Sequence, residues 1–475
     1  MYIHLLERPQ SEPQAAAPAP FLHAPLYERL ANHLPTAEER RAAAAFLREV
    51  MDEVAADAEV LPEQPEQLLD WMRSSAEDVH AQYQAYLQMR KAGSPRRYFT
   101  NRAHALHFLR NVAPTKLVDG AWLYGLCAHA DNPRLSDLVT TYVEELGNGA
   151  EDKNHVKLYR ELLAKYGLDP IDDLPDALYR QGLVQLALGW NAEEFLPEIV
   201  GFNLGYEQLP LHLLISSYEL NELGLDPYYF TLHVTVDNTD TGHAKRACTA
   251  ALEAAPRIDD GGEYWRRVRA GAKLGNTGVC TLDVIRGFDI ESEVISILAR
   301  KSSAGNGAHS DFCKVAGRSV NDWLSSPSEM AGFLEALEKT GWIKRGQPAS
   351  ESRFWQLLQG ERAEMFGVFS PYELQVIHDW IRGPASADGA SYETDAPVGT
   401  KTRQISFRVA ERLRAAQGRQ LPRAASLDSD LEIFEQRYPT LAPAERRELL
   451  IQAMSPALHW TPVGLRATRY FLGAA

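Results

Sequence analysis

The sequence has few cysteines and no long hydrophobic run, and both absences limit what the protein can be. Its four cysteines, Cys127, Cys248, Cys280 and Cys313, lie far apart and form no Cys-x-x-Cys pair, which argues against a zinc site or a disulfide framework. No segment reaches the roughly eighteen apolar residues of a membrane-spanning helix. The opening MYIHLLERPQ also lacks the basic-then-apolar pattern of a signal peptide. We therefore expect a cytoplasmic protein that does not act in a membrane.

Positive charge is also scarce. The chain has 49 Lys and Arg against 64 Asp and Glu, a formal net charge of −15, which argues against nucleic acid as the main partner. No P-loop, no GxGxxG motif after a strand and no GxSxG motif occurs, so a nucleotide cofactor and hydrolase chemistry have no support.

Helical periodicity dominates the first half of the chain. Thr36, for example, precedes a run in which apolar residues recur at three- and four-residue spacing, and this pattern returns in successive segments up to residue 253. The alternation that is typical of β-strands is nearly absent there, and Pro and Gly stand between the segments. These features predict an all-α bundle.

The composition changes along the chain and suggests five parts. A Pro- and Ala-rich stretch predicts a flexible arm over residues 1–29, followed by the bundle over 30–255. Short apolar helices separated by turns predict a helical C-terminal domain over 256–383. Residues 384–402 have the composition of a linker, and helical patterns return over 403–475.

The segment His233 to His243, HVTVDNTDTGH, carries the strongest chemical signal. On an α-helix His233, Asp237 and Asp240 stand at i, i+4 and i+7 and project from one face. Imidazole and carboxylate groups bind iron or manganese in helical bundles. The segment therefore predicts part of a metal site, although a polar helix face would show the same pattern.

Two residues compete for the last ligand position in this segment. On an undistorted helix His243 lies about 15 Å along the axis from His233, so Asp240 is better placed. A bulge or break at Thr241 and Gly242 would bring His243 into the site instead. We keep both residues as candidates.

Further carboxylates and a histidine lie upstream. Glu145 ends an amphipathic helix, glycines at 147 and 149 supply a tight turn, and His155 falls in the next helix, so the turn can bring Glu145 and His155 together. Glu207 interrupts an apolar stretch, and a buried glutamate needs a partner. Asp119, in KLVDGAWL, is another candidate ligand, but the helix-start pattern favours a role as an N-cap.

The order of these segments resembles that of the heme-oxygenase-like diiron oxidases, often labelled iron-containing redox enzymes. Members carry a glutamate before a glycine-rich turn that leads to a histidine, then a helix glutamate, then a helix with histidine, aspartate and histidine. The matching residues are Glu145, Gly147, Gly149, His155, Glu207, His233 and Asp237. The family usually places its last histidine where this sequence has Asp240, and His243 follows three residues later. The resemblance covers roughly residues 95–255.

This resemblance implies a heme-oxygenase-like helical bundle that holds two iron ions per chain, with manganese as an alternative. The implied function is a non-heme diiron oxidase or oxygenase of specialised metabolism. It would use dioxygen and an external electron donor for N-oxygenation, desaturation or C–C cleavage of an amino-acid-like or fatty-acid-like molecule. A homodimer is compatible with this function. Aromatic residues on the same helices are candidate pocket walls: Trp122, Tyr142, Tyr206, Tyr229 and Phe230.

Two other functions remain open. A cofactor-free oxidase could share the bundle, although a metal-free pocket has no need of so many carboxylates. A non-catalytic binding or scaffold protein would use its C-terminal half to recruit a partner. Metal analysis of the purified protein separates both from the diiron hypothesis.

Overall fold

The structure is a computed structural model that describes residues 22–169, 171, 173–236, 242–258, 261–307, 309–310, 312–360, 363–383 and 428–474. In these residues the predicted all-α class is confirmed, with one two-residue hairpin as the exception. Its strands are β1 (Lys314–Val315) and β2 (Arg318–Ser319), antiparallel, with Lys314 opposite Ser319. Within the described parts, no helix is both long and apolar enough to span a membrane.

The α-helices before residue 254 are α1 (His23–Asn32), α2 (Ala37–Val54), α3 (Leu68–Lys91), α4 (Arg102–Asn111), α5 (Ala113–Lys116), α6 (Ser136–Glu145), α7 (His155–Tyr166), α8 (Arg180–Trp190), α9 (Leu196–Tyr206), α10 (Leu211–Glu222), α11 (Tyr228–Val236) and α12 (His243–Glu253). Those after it are α13 (Gly261–Lys273), α14 (Thr281–Arg286), α15 (Ile290–Gly305), α16 (Val320–Leu324), α17 (Met330–Lys339), α18 (Arg353–Gln359), α19 (Pro371–Arg382), α20 (Ser429–Arg437), α21 (Pro443–Ala453) and α22 (Pro462–Ala474). Short 3-10 helices span Pro65–Gln67, Ala121–His129, Pro133–Leu135, Gly147–Gly149, Asp176–Tyr179, Leu274–Asn276, Pro327–Glu329, Ala349–Glu351 and Tyr438–Thr440.

Local sequence signals explain several helix boundaries. The hydroxyl of Thr36 accepts a hydrogen bond from the backbone N–H of Glu39, whose carboxylate accepts one from the backbone N–H of Thr36. This capping box satisfies two N–H groups that the first turn of α2 leaves open. Pro210 separates α9 from α10, because it has no N–H with which to continue a helix.

The apolar side chains form two cores. The first core is built from α1, α2, α6, α8, α9, α12 and α13, and includes Leu47, Trp122, Leu186, Phe202 and Val268. The second core is built from α4, α7, α10, α11 and the helices from α14 to α19, and includes Phe108, Leu163, Leu220, Ile297 and Val376. The two cores meet at Ile171 and Leu178, which pack against both.

Three elements lie in places that differ from the predicted parts. Helix α1 begins at His23, inside the range 1–29 that was predicted as an arm, and buries Leu30; residues 1–21 of that range lie outside the described residues. Helix α13 packs in the first core although its residues fall in the predicted domain 256–383. Helices α20 to α22 return to the first core through Phe434, Leu450 and Phe471. The physical reason is the same in each case: an amphipathic helix buries its apolar face wherever a matching surface exists.

A buried carboxylate joins three elements of the fold. Glu219 on α10 is fully buried and accepts a hydrogen bond of 2.7 Å from the hydroxyl of Tyr86 on α3. It also accepts the backbone N–H groups of Arg97, Tyr98 and Phe99, which lead into α4. Four donors offset the cost of burying this charge.

Helices α9 and α13 approach so closely that their contact requires glycine. A Cβ atom at Gly201 would lie 1.8 Å from the carbonyl oxygen of Val268, and one at Gly271 would lie 2.1 Å from that of Glu198. Because a backbone carbonyl cannot move aside, any larger residue must separate the two helices.

We therefore expect Gly201→Ala to destabilise the protein by about 1–3 kcal/mol, as overpacking does. The matched control is Gly205→Ala on the same helix, where the nearest atom to a new Cβ is 3.7 Å away. That control should be neutral or stabilising by up to about 1 kcal/mol through helix propensity. Urea unfolding measures both, and equal stability of the two variants would contradict the close contact.

Candidate metal centre

The side chain of Asp119 points into the bundle. Its Oδ2 atom accepts a hydrogen bond of 2.5 Å from the hydroxyl of Tyr229 and lies 3.1 Å from Nε2 of His233 and 3.8 Å from Nδ1 of His155. The next helix begins at Ala121 with Gly120 as its N-cap and has no side-chain cap. The interpretation of Asp119 as an N-cap is therefore wrong, because its carboxylate is occupied inside the bundle.

The turn between α6 and α7 brings Glu145 and His155 together. Gly147 and Gly149 have φ values of 65° and 76°, in the left-handed region that favours glycine, and they reverse the chain within a few residues. Oε2 of Glu145 then contacts Nδ1 of His155. Both atoms are buried. Either a proton on the ring of His155 or a bound cation would satisfy this pair.

His233 on α11 is fixed by its own helix. Its Nδ1 lies 2.8 Å from the carbonyl oxygen of Tyr229, one turn earlier, and because a carbonyl only accepts, Nδ1 donates. Its Nε2 therefore faces Asp119, and its ring lies 4.4 Å from that of His155 between centroids. A ring nitrogen that faces a carboxylate in this way needs a proton or a metal ion between them.

A second set of side chains adjoins the first. Nδ1 of His243 lies 3.2 Å from Oε2 of Glu207 and 3.3 Å from Oε1 of Glu145. Its Nε2 lies 2.8 Å from Oε2 of Glu144, which also accepts a hydrogen bond of 2.5 Å from Arg246. Glu144 thus orients His243 from behind, as carboxylates orient metal-binding histidines in other proteins.

The helical pattern that includes His233 and His243 is interrupted at Gly242, whose backbone is extended. Helix α11 ends at Val236, and α12 begins at His243 with Gly242 as its N-cap. This break brings the ring of His243 to Glu207 and Glu145, as the bulge hypothesis expected. Asp237 and Asp240 lie outside the described residues, and a role for either stays a prediction.

The potential ligand atoms form two groups that share one residue. The first ligand group is Asp119, Glu145, His155 and His233, and the second ligand group is Glu145, Glu207 and His243. Within each group the atoms lie within 4.8 Å of one another, and no residue is more than 8% exposed. Each group could hold one metal ion, with the Glu145 carboxylate between them.

The groups remain charged despite their burial. Burial alone would raise the pKa of Glu145, but His155 and His243 lower it to about 2. Burial alone would likewise raise the pKa of Asp119, but Lys116, His155 and His233 hold it well below its usual range. The site therefore concentrates ionised carboxylates in a buried space, which favours a cation.

Helices from the end of the chain support the turn that carries the ligands. Nδ2 of Asn154, the N-cap of α7, lies 3.2 Å from Nδ1 of His459, whose pKa burial lowers to about 3, so that neutral ring accepts the hydrogen bond. Nε of Arg469 donates a hydrogen bond of 2.9 Å to the backbone carbonyl of Gly149. The hydroxyl of Tyr142 donates one to the backbone carbonyl of Met454. Residues close to the end of the chain thus hold the turn between Glu145 and His155 in place.

Sequence reasoning missed Glu144 and His459. A hint for Glu144 was its place next to Glu145, since one of two adjacent carboxylates can bind while the other orients. His459 carried no such hint, because about 300 residues separate it from Asn154.

Comparison with protein families gives one match over part of the chain. A family model described as iron-containing redox enzyme matches residues 106–276, which include all six described residues of the two ligand groups. The resemblance found in the sequence is therefore confirmed over this segment, which is similar to the iron-containing redox enzymes. No curated protein and no solved structure gave a significant match.

We expect His459→Ala to destabilise the protein by about 2–4 kcal/mol, because it opens a cavity and removes the acceptor of Asn154. The matched control is His129→Ala, since that side chain is 44% exposed and should change stability by no more than about 0.5 kcal/mol. The measurement is the free energy of unfolding in urea. A His459 variant as stable as the control would show that the C-terminal helices do not hold this turn.

Proposed function

We propose that the protein is a non-heme diiron oxidase or oxygenase. The observation that carries this proposal is the position of Glu145, whose carboxylate belongs to both ligand groups. A carboxylate shared between two sets of histidine and carboxylate ligands is the usual construction of dinuclear sites in helical bundles. The match to iron-containing redox enzymes over the same residues supports iron as the metal.

The donor set supports two metal ions rather than a haem. A haem iron takes one or two axial ligands from the protein. Here three histidines and three carboxylates converge, and the carboxylates would be left uncompensated beside a porphyrin. Three carboxylates against two divalent ions leave a net charge of about +1, which a buried site tolerates. Imidazole and carboxylate also suit manganese.

Each residue of the site has a defined task in this proposal. Two ferrous ions, when bound, would supply the electrons with which dioxygen is reduced. Tyr229 would orient two ligands, because its hydroxyl donates a hydrogen bond to Asp119 and its carbonyl accepts one from the ring of His233. Glu144 and Arg246 would hold His243 in the same way. The burial of these ligands keeps bulk water away from the reacting atoms.

The reaction that we propose is the oxidation of a small organic molecule in specialised metabolism, by N-oxygenation, desaturation or C–C cleavage. An external electron donor would return the iron to its ferrous state. The family resemblance supports an amino-acid-like or fatty-acid-like substrate.

Metal content tests the shared role of Glu145. After anaerobic reconstitution with ferrous ion we expect about two iron ions per chain, and fewer than about one in Glu145→Gln, because this change removes a charge from both ligand groups. The matched control is Glu144→Gln, which alters only the residue behind His243. It should keep both ions with affinity lowered by about 10–100-fold.

Elemental analysis gives the iron count, and circular dichroism shows whether each variant is folded. A folded Glu145→Gln variant with two iron ions would contradict the shared carboxylate. Less than one ion per chain in the unaltered protein would contradict the diiron function and favour a cofactor-free oxidase or a binding protein.

Metal binding should also strengthen with rising pH. Burial alone would lower the pKa of His155, but Glu145 and Asp119 raise it to about 10, so the metal-free ring carries a proton at neutral pH. A metal ion must displace that proton, so apparent affinity should rise by up to about tenfold per pH unit below that pKa. Cobalt titrations at several pH values measure the slope, and a flat profile would contradict proton displacement at His155.

A further inference from the structure

A lysine that makes no ion pair with a described residue lies beside the first ligand group, and its charge helps to lower the pKa of Asp119. Lys116 ends α5, three residues before Asp119, and its Nζ atom lies 5.9 Å from the ring centroids of both Tyr206 and Tyr229. Because the hydroxyl of Tyr229 donates to Asp119, this ammonium group stands next to the metal centre. It is half-buried between the two rings.

Two other half-buried cations near carboxylates form ion pairs with them. Arg246 pairs with Glu144, and Arg90 pairs with Glu222 at 2.6 Å. Lys116 makes no hydrogen bond and no ion pair with any described residue, and its contacts are the two tyrosine rings. In the metal-free site the carboxylate of Asp119 offsets the charge of Lys116. Two divalent ions would leave the ligand groups with a net charge of about +1, so an anionic ligand would complement the ammonium group once metal is bound.

A second polar group near the same place also lacks a partner. Gln185 is fully buried, and its Nε2 donates a hydrogen bond of 3.2 Å to the hydroxyl of Tyr206, the ring that Lys116 approaches. Its Oε1 atom makes no hydrogen bond with the described residues. Buried amide oxygens are rarely left unpaired, so a ligand that brings a hydrogen-bond donor would complete this one.

We propose that Lys116 binds the carboxylate of the substrate and orients it at the metal centre. This inference rests on the proposed oxidase function for the identity of the ligand as a substrate. The tyrosine rings would flank the carbon skeleton, and Gln185 would accept a hydrogen bond from a donor group on it. The donor requirement favours an amino-acid-like substrate over a fatty-acid-like one.

Binding of small carboxylates and of their neutral amides tests the proposal without knowledge of the substrate. The probes are norleucine, hexanoate and phenylacetate, each compared with its primary amide by isothermal titration of the full chain, metal-free and cobalt-loaded. We expect the carboxylates to bind better than the amides, and Lys116→Gln to weaken carboxylate binding about 10–100-fold without changing amide binding. Norleucine should bind more tightly than hexanoate.

The matched control is Lys157→Gln, which removes the same charge from α7, where the lysine pairs with Glu161 on the surface. This variant should bind every probe as the unaltered protein does. Carboxylate binding that is absent, or equal in Lys116→Gln and Lys157→Gln, would overturn the inference.

The cobalt titration separates this inference from the proposed function. Two cobalt ions per chain with carboxylate binding independent of Lys116 would leave the diiron function standing and reject the lysine. Failure to bind cobalt would reject the diiron function, while a carboxylate preference that depends on Lys116 in the metal-free protein would still support the anion site.

Discussion

The carboxylate of Glu145 stands between two histidines that belong to different parts of the bundle, His155 on one side and His243 on the other. Its charge holds the two ligand groups together, because without it each group would have fewer ligands and a poorer charge balance. Several local features fix the position of Glu145: the end of a helix, a turn with two left-handed glycines and the cap of the next helix. Together they direct its carboxylate into the interior rather than to the surface.

The ligand groups lie where the two hydrophobic cores meet. Glu207 and His243 come from helices of the first core, whereas His155 and His233 come from helices of the second core. Apolar side chains enclose these polar groups from both cores, which explains their burial. The carboxylates of Asp119 and Glu145 stay ionised because neighbouring histidines and Lys116 lower their pKa values. Lys116 lies at the edge of the same site, where it is half-buried beside the rings of Tyr206 and Tyr229.

Much of the site could be predicted from the sequence, because its ligands stand in short segments whose spacing is dictated by helix geometry. Glu145 and His155 were paired from a glycine turn, and His233 from its place in an acidic helix. Asp119 was assigned wrongly, because an aspartate before Gly-Ala is a helix-start signal and only the fold shows that its side chain turns inward. The sequence does not decide whether the helix breaks before His243, because Thr-Gly permits a helix to end there without requiring it.

The hydrogen bonds that join His459 and Arg469 to the turn between Glu145 and His155 have a consequence for how the centre is made. A ribosome synthesises both residues about 300 positions after Glu145, so the turn gains these hydrogen bonds only after the long intervening chain has emerged. Until then the turn lacks its outer supports, and the ligands of the proposed metal centre would be held less firmly.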